Sequence, residues 1–176
     1  VLRPYQIHAI QAIFDASYGK DNKDQPHSGF VWHTTGSGKT LTSYKVAHNL
    51  LKIPSIQKTI FLIDRNDLDT QTTQAFETYA QNDSIDVEGT ENSYSLARKL
   101  VSSDKRVIVT TRQKMQALFK RIAQDQEQRR LYRKLKDVKL AFIVDECHRA
   151  VSPDEKNEID AFFTKNPPLW YAFTGT

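Results

Sequence analysis

Apolar positions along this chain switch between two periods. Compact runs rich in β-branched and aromatic residues occupy 29–33, 59–64, 107–110, 140–145 and 170–174, and each has the length of a strand. Between them apolar residues return every three or four positions, which predicts helices over 5–18, 39–51, 67–80, 93–100, 113–136 and 155–163. Within the longest, Met115, Leu118, Phe119 and Ile122 form one inward stripe and leave the opposite side to charge. Strands alternating with helices imply βαβ units, hence an α/β domain with a mostly parallel central sheet and helices on both faces. The unbroken run Leu140-Ala141-Phe142-Ile143-Val144 fits, because a strand covered on both faces needs apolar side chains at every position. The polar stretch 20–27, with one proline, reads as a loop.

Composition narrows the class. The chain has 176 residues, 39% hydrophobic and 26% charged, which suits one domain with a sizeable core and excludes a disordered segment. No apolar run approaches the ~20 residues of a membrane-spanning helix, and the N-terminus has no secretory signal pattern. The single cysteine, Cys147, excludes an internal disulfide framework and suits a reducing, cytoplasmic compartment. The chain opens at Val1 without an initiator methionine and stops at Thr176 directly after an apolar run, so the expectation is one domain, 1–176, from a larger multidomain chain. The net charge is only +4 but unevenly spread. From Asp64 to Glu91 eight acidic residues stand against one basic, whereas Arg98 to Lys139 holds fourteen basic against four acidic. That second stretch is either a solvated helix face or a surface for a polyanion.

The sharpest chemical signal is His33-Thr34-Thr35-Gly36-Ser37-Gly38-Lys39-Thr40, between a predicted strand and a predicted helix. A nucleoside triphosphate is a dense anion that needs many short-range donors. Gly36 and Gly38 let backbone N–H groups turn inward with no Cβ in the way, and Thr35 and Ser37 complete the cradle. Lys39 brings a point charge to the β- and γ-phosphates, and the Thr40 hydroxyl suits Mg²⁺. The helix starting there aims its positive dipole end at the same anion. The general phosphate-loop pattern begins with glycine where this chain has His33, a position that closes the strand rather than donating to phosphate.

A second signal is the apolar run ending in Asp145-Glu146-Cys147-His148. It delivers two carboxylates to the carboxyl edge of a sheet, where α/β proteins bind ligands. Asp145 suits Mg²⁺, and Glu146 suits orienting and deprotonating an attacking water. Zinc is disfavoured, since there is no second cysteine and the other histidines are scattered. Cys147 abuts two carboxylates that would raise its pKa, so it reads as a small packed residue rather than a nucleophile. His148 reads as a hydrogen-bonding partner for a neighbouring polar loop.

Taken in order, Arg3-Pro4-Tyr5-Gln6, T-G-S-G-K-T, D-E-C-H and Phe173-Thr174-Gly175-Thr176 make the chain resemble the first RecA-like domain of a superfamily 2 helicase or translocase motor. The longer strings F-V-W-H-T-T-G-S-G-K-T, F-L-I-D-R-N-D-L-D-T-Q, V-I-V-T-T-R-Q-K-M and V-D-E-C-H-R-A are similar to the restriction subunit of type I restriction-modification enzymes, over essentially the whole chain. The resemblance implies a RecA-like P-loop NTPase fold in which strand 170–174 lies between the phosphate-loop strand and the Asp145 strand. It implies ATP and Mg²⁺ as cofactors, with Lys39, Asp145 and Glu146 catalytic and Thr40 and Asp145 on the metal. It implies that Gln6 reads the adenine edge and that residues 173–176 couple hydrolysis to grip on nucleic acid.

Subunits of this family pump duplex DNA past a bound complex and cut it with a separate nuclease domain. The resemblance therefore implies a bacterial or archaeal cytoplasmic protein with modification and specificity subunits as partners. Residues matching the segments that touch the DNA backbone are Arg65, Asn66, Gln71, Thr110, Thr111, Gln113 and Lys114. Arg65 fits a surface ion pair with Asp64 or Asp67 equally well. Two other readings stand beside this one. One is another superfamily 2 DNA or RNA helicase. The other is a nucleotide-binding module that is inactive without the second motor domain and its arginines.

Overall fold

Six strands, all running the same way, make one sheet in the computed structural model, which describes residues 2–19, 27–32, 39–63, 74–75, 77–78, 81, 87–89, 93–124, 129–145, 152–163 and 165–174. In chain order the described elements begin with α1 (Pro4–Tyr18), β1 (Gly29–Trp32), α2 (Lys39–Leu50), β2 (Lys58–Ile63), β3 (Val87–Gly89) and α3 (Ser93–Val101). They continue with β4 (Arg106–Thr111), α4 (Arg112–Gln124), α5 (Arg129–Lys136), β5 (Leu140–Asp145), α6 (Pro153–Phe162) and β6 (Leu169–Thr174). In space the strands lie β1-β6-β5-β2-β4-β3, and every pairing is parallel. The last strand therefore sits between β1 and β5, as the resemblance implies.

The period-2 geometry of strands sorts their apolar residues into two cores. Phe61, Val107, Val109, Ile143, Tyr171 and Phe173 face one way and pack on Ile10 and Ile13 of α1 and on Tyr44, Ala47 and Leu50 of α2. Ile60, Leu62, Ile108, Phe142, Val144 and Trp170 face the other way. There they meet Leu96 and Leu100 of α3, Met115 and Leu118 of α4, Leu135 of α5 and Ile159 of α6. Both faces are covered, which is why β5 has no polar position before Asp145.

Two boundaries differ from expectation. Strand β3 is three residues long, Val-Glu-Gly, and an edge strand this short leaves no apolar run to read. The expected single helix over 113–136 is described as two, α4 and α5, with 125–128 outside the described residues. Of the helix expected over 67–80, residues 74–75 and 77–78 are helical and the rest lie outside the described residues.

Polar ties hold the rim at the strand N-termini. Lys58 opens β2 fully buried, and its Nζ donates to Ser102 O at 2.8 Å and to Asp104 O. Burial pushes its pKa below the usual lysine value, against an upward pull from Asp104 and with a further downward push from Arg106. Tyr171 OH donates to His27 O at 2.8 Å and lies 2.7 Å from Ser17 Oγ, which fixes the last turn of α1 near the start of β1. Helix α1 stops there because Gly19 adopts a left-handed conformation, φ 68°, that closes the helix end.

Candidate nucleotide site

Strand register brings the two sequence signals to one rim. Phe173 of β6 is paired with Val31 on one side and with Asp145 on the other, so Asp145 stands level with Val31 across one intervening strand. Neighbouring strands are about 4.8 Å apart, which puts Asp145 roughly 10 Å from β1. Trp32 ends β1 at this same edge, and Lys39 opens α2 after the phosphate-loop residues 33–38. Lys39 and Thr40 thus form the first turn of a helix of 12 residues. The unsatisfied N–H groups of such a turn attract anions, and no acidic residue of the first turn competes for them.

Thr35, Gly36, Ser37, Gly38 and Glu146 lie outside the described residues. What is described still fits a magnesium-bound triphosphate in its residue types. Mg²⁺ is a hard cation that takes oxygen ligands, and the residue types at positions 40 and 145, threonine and aspartate, are oxygen-bearing ones whose backbone stands at one rim. The anion-attracting helix start lies at the same rim.

Gln6, the expected adenine reader, occupies the first turn of α1 and is buried, 3% exposed. Its Oε1 accepts a hydrogen bond from Arg3 N at 2.8 Å. That bond fixes the amide, and a carbonyl oxygen has a second lone pair for another donor. Helix α1 lies against α2, and Ser17 ties its far end to Tyr171 about 16 Å of helix away from Gln6.

The expected DNA contacts divide. Arg65, Asn66 and Gln71 lie outside the described residues. Thr110 and Thr111 are buried, at 0% and 2% exposure, and Thr111 Oγ1 accepts from Lys114 N at 3.3 Å. The Thr111 hydroxyl thus supports the start of α4. Gln113 and Lys114 are half-buried on the first turn of α4, at the same rim as Asp145. Gln113 Oε1 is buried and has no hydrogen-bond partner among the described residues.

A junction next to this rim was not anticipated. Glu155 Oε2 accepts from Ser152 N at 2.8 Å and Ser152 Oγ accepts from Glu155 N at 3.2 Å, a capping box that starts α6. The same carboxylate accepts from Arg112 Nη1 at 3.2 and 3.3 Å and from Gln116 Nε2 at 2.8 Å, joining α6 to α4. Ser-x-x-Glu at 152–155 is a readable cap signal, but nothing in it names the partners on α4.

The SWI2/SNF2 ATPase family model matches residues 5–176. The chain is 38% identical over 175 residues to a type I restriction enzyme endonuclease subunit of Staphylococcus saprophyticus, covering 99% of this chain and 17% of that protein. It is also 38% identical over 170 residues to a Mycoplasma pneumoniae protein named as the C-terminal part of such a subunit, covering 93% of this chain and 79% of that one. Among solved structures, the SWI2/SNF2 ATPase core of Sulfolobus solfataricus in complex with double-stranded DNA shares the fold, with a TM-score of 0.56 at 19% identity. That match covers 100% of this chain and 32% of the other. The chain spans 17% of the length of the staphylococcal relatives. No described helix is long and apolar enough to cross a membrane.

Proposed function

The chain belongs to the SWI2/SNF2 ATPase family and groups within it with type I restriction enzyme endonuclease subunits, and from that premise we propose that it is the first RecA-like motor domain of such a subunit, driving ATP-dependent movement along duplex DNA. The observation that carries this reading is the shared rim. Helix α2 begins at Lys39 and β5 ends at Asp145 on the same edge, with only β6 between β1 and β5.

In this reading Lys39 neutralises the β- and γ-phosphates, and the backbone N–H groups of Thr35, Gly36, Ser37 and Gly38 hold them in place. Bound Mg²⁺, with Thr40 and Asp145 as its protein ligands, supplies charge neutralisation on the phosphate oxygens. Glu146 orients the attacking water and takes its proton. Gln6 holds the adenine edge, so the site takes ATP. Gln113 and Lys114, with Arg65, Asn66 and Gln71, hold the DNA backbone by contacts that carry no sequence information. A motor that moves over any sequence needs contacts of that kind.

The family likeness extends the proposal to partners and place: a bacterial or archaeal cytoplasmic complex with modification and specificity subunits. It also extends to dependence on a second motor domain. Arginines supplied across such a cleft are worth ~10³–10⁵ in rate, so residues 1–176 alone hydrolyse ATP slowly and without stimulation by DNA. In the full-length subunit, Lys39→Ala lowers ATP turnover by about 100-fold or more and stops translocation. Undiminished turnover in that variant rejects the reading.

A further inference from the structure

Helices α3, α4 and α5 cover one end of one sheet face, with α3 packed against both of the others. Together they carry eleven Lys and Arg and no Asp or Glu. Their apolar side chains Leu96, Leu100, Met115, Leu118 and Leu135 are turned into the core, so the cations are left on the outside. Lys120, Arg121, Arg130, Arg133 and Lys134 are exposed, and among the described residues none of these five is paired with an acidic group. Helix α6, on the same face, is the counterpart: it carries Asp154, Glu155, Glu158 and Asp160 against one base, Lys156. Charge is thus partitioned between neighbouring helices rather than mixed.

The surface has length. Helix α4 starts at the strand-carboxyl rim immediately after Thr111, while α5 ends at Lys136, shortly before β5 starts at the opposite rim. The 13 residues of α4 span about 20 Å, a distance over which duplex DNA presents roughly a dozen phosphate charges. The track begins at Lys114, the residue assigned above to backbone contact at the rim.

The chemistry of the surface selects its partner. Protein interfaces have an apolar core and are poor in lysine, and membrane-seated helices expose apolar side chains alongside their cations. Among the described side chains, the exposed large hydrophobics are Tyr5, Ile7, Tyr18 and Phe30, and none lies on these three helices. A surface whose exposed side chains, among the described residues, include these cations and no large hydrophobic matches a phosphate backbone. We propose that the exposed cations of α4 and α5 form a second duplex-DNA track, outside the rim loops, that holds the DNA by charge alone. This rests on the DNA-motor reading and adds a surface to it.

The test is the salt dependence of duplex binding by the full-length subunit, wild type against Arg130→Ala/Arg133→Ala/Lys134→Ala, between 50 and 200 mM KCl. Each neutralised phosphate contributes about 0.9 to the slope of log K against log salt, so the slope falls by about 3 in the triple variant. Arg130→Lys/Arg133→Lys/Lys134→Arg keeps the wild-type slope, because counterion release counts charges and not side-chain shapes. The KM for ATP without DNA is the same in all three proteins, which also reports correct folding. An unchanged slope in the alanine variant overturns the track, and an acidic protein partner then becomes the alternative. Absence of duplex binding by the wild type overturns the motor reading itself.

Discussion

Arg112 Nη1 donates to both carboxylate oxygens of Glu155, at 3.2 and 3.3 Å, across helices 43 positions apart in the chain. Arg112 opens the helix that carries Gln113 and Lys114, and Glu155 lies in the first turn of the helix that follows the Asp145 strand. One half-buried ion pair therefore ties the segment after the acidic pair to the head of α4.

That pair has a pH signature. Burial acts to raise the Glu155 pKa, but the Ser152 N–H, the Arg112 charge and the Gln116 amide outweigh it and hold the carboxyl below its ordinary 4.5. A depressed carboxylate pKa stabilises the fold above the unfolded-state value and loses that stabilisation as pH falls through the folded one. Glu155→Gln therefore costs about 1 kcal/mol at pH 7, and the cost shrinks below pH 4.5. Urea unfolding of both proteins between pH 7 and pH 3 measures it, and a pH-independent difference contradicts the assignment.

Lys58 gives the opposite sign. Its pKa is depressed by burial, so between its folded value and 10.5 the unfolded chain binds more protons and stability rises with pH. The stability of the wild type relative to Lys58→Met increases as the pH climbs towards 10.5. The neutral amine still donates to Ser102 O and Asp104 O, which keeps the hydrogen bonds while the charge is lost. Chemical denaturation at pH 8 and pH 10 separates the two terms.

Trp170 links β6 to α6. Its ring stacks on Phe142 with centroids 4.2 Å apart and planes at 12°, and its Nε1 donates to Asp160 Oδ1 at 2.8 Å. Trp170→Phe removes that donor and part of the buried ring, at a cost of about 1–3 kcal/mol. Asp160→Asn keeps an acceptor for the indole and costs less. Equal losses in urea unfolding count against the hydrogen bond as the cause.

Gln6 separates fold from recognition. Gln6→Glu keeps an oxygen to accept from Arg3 N and removes the amide donors that an adenine edge requires. The expected outcome is about a tenfold loss in preference for ATP over GTP, the scale of one hydrogen bond, beside a lowered melting temperature because the new carboxylate is buried. Retained preference removes Gln6 from the adenine contact.

Much of the architecture is legible in the residues because its cause is local. Leu140 to Val144 are apolar without interruption since both faces of β5 are covered. Other features depend on contacts distant in sequence. Strand β3 becomes a strand only by pairing with β4. The burial of Thr110 and Thr111 comes from the β2 pairing, which no local pattern around them announces. The Glu155 cap can be read from Ser152, but its bonds to Arg112 and Gln116 exist only once α4 and α6 lie side by side.

The most direct measurement is a crystal structure of the protein with Mg²⁺ and a non-hydrolysable ATP analogue. The account predicts the triphosphate seated on the first turn of α2 at Lys39, the metal between Thr40 and Asp145, and the adenine beside Gln6. A nucleotide bound at the other rim, or a metal remote from Asp145, contradicts it.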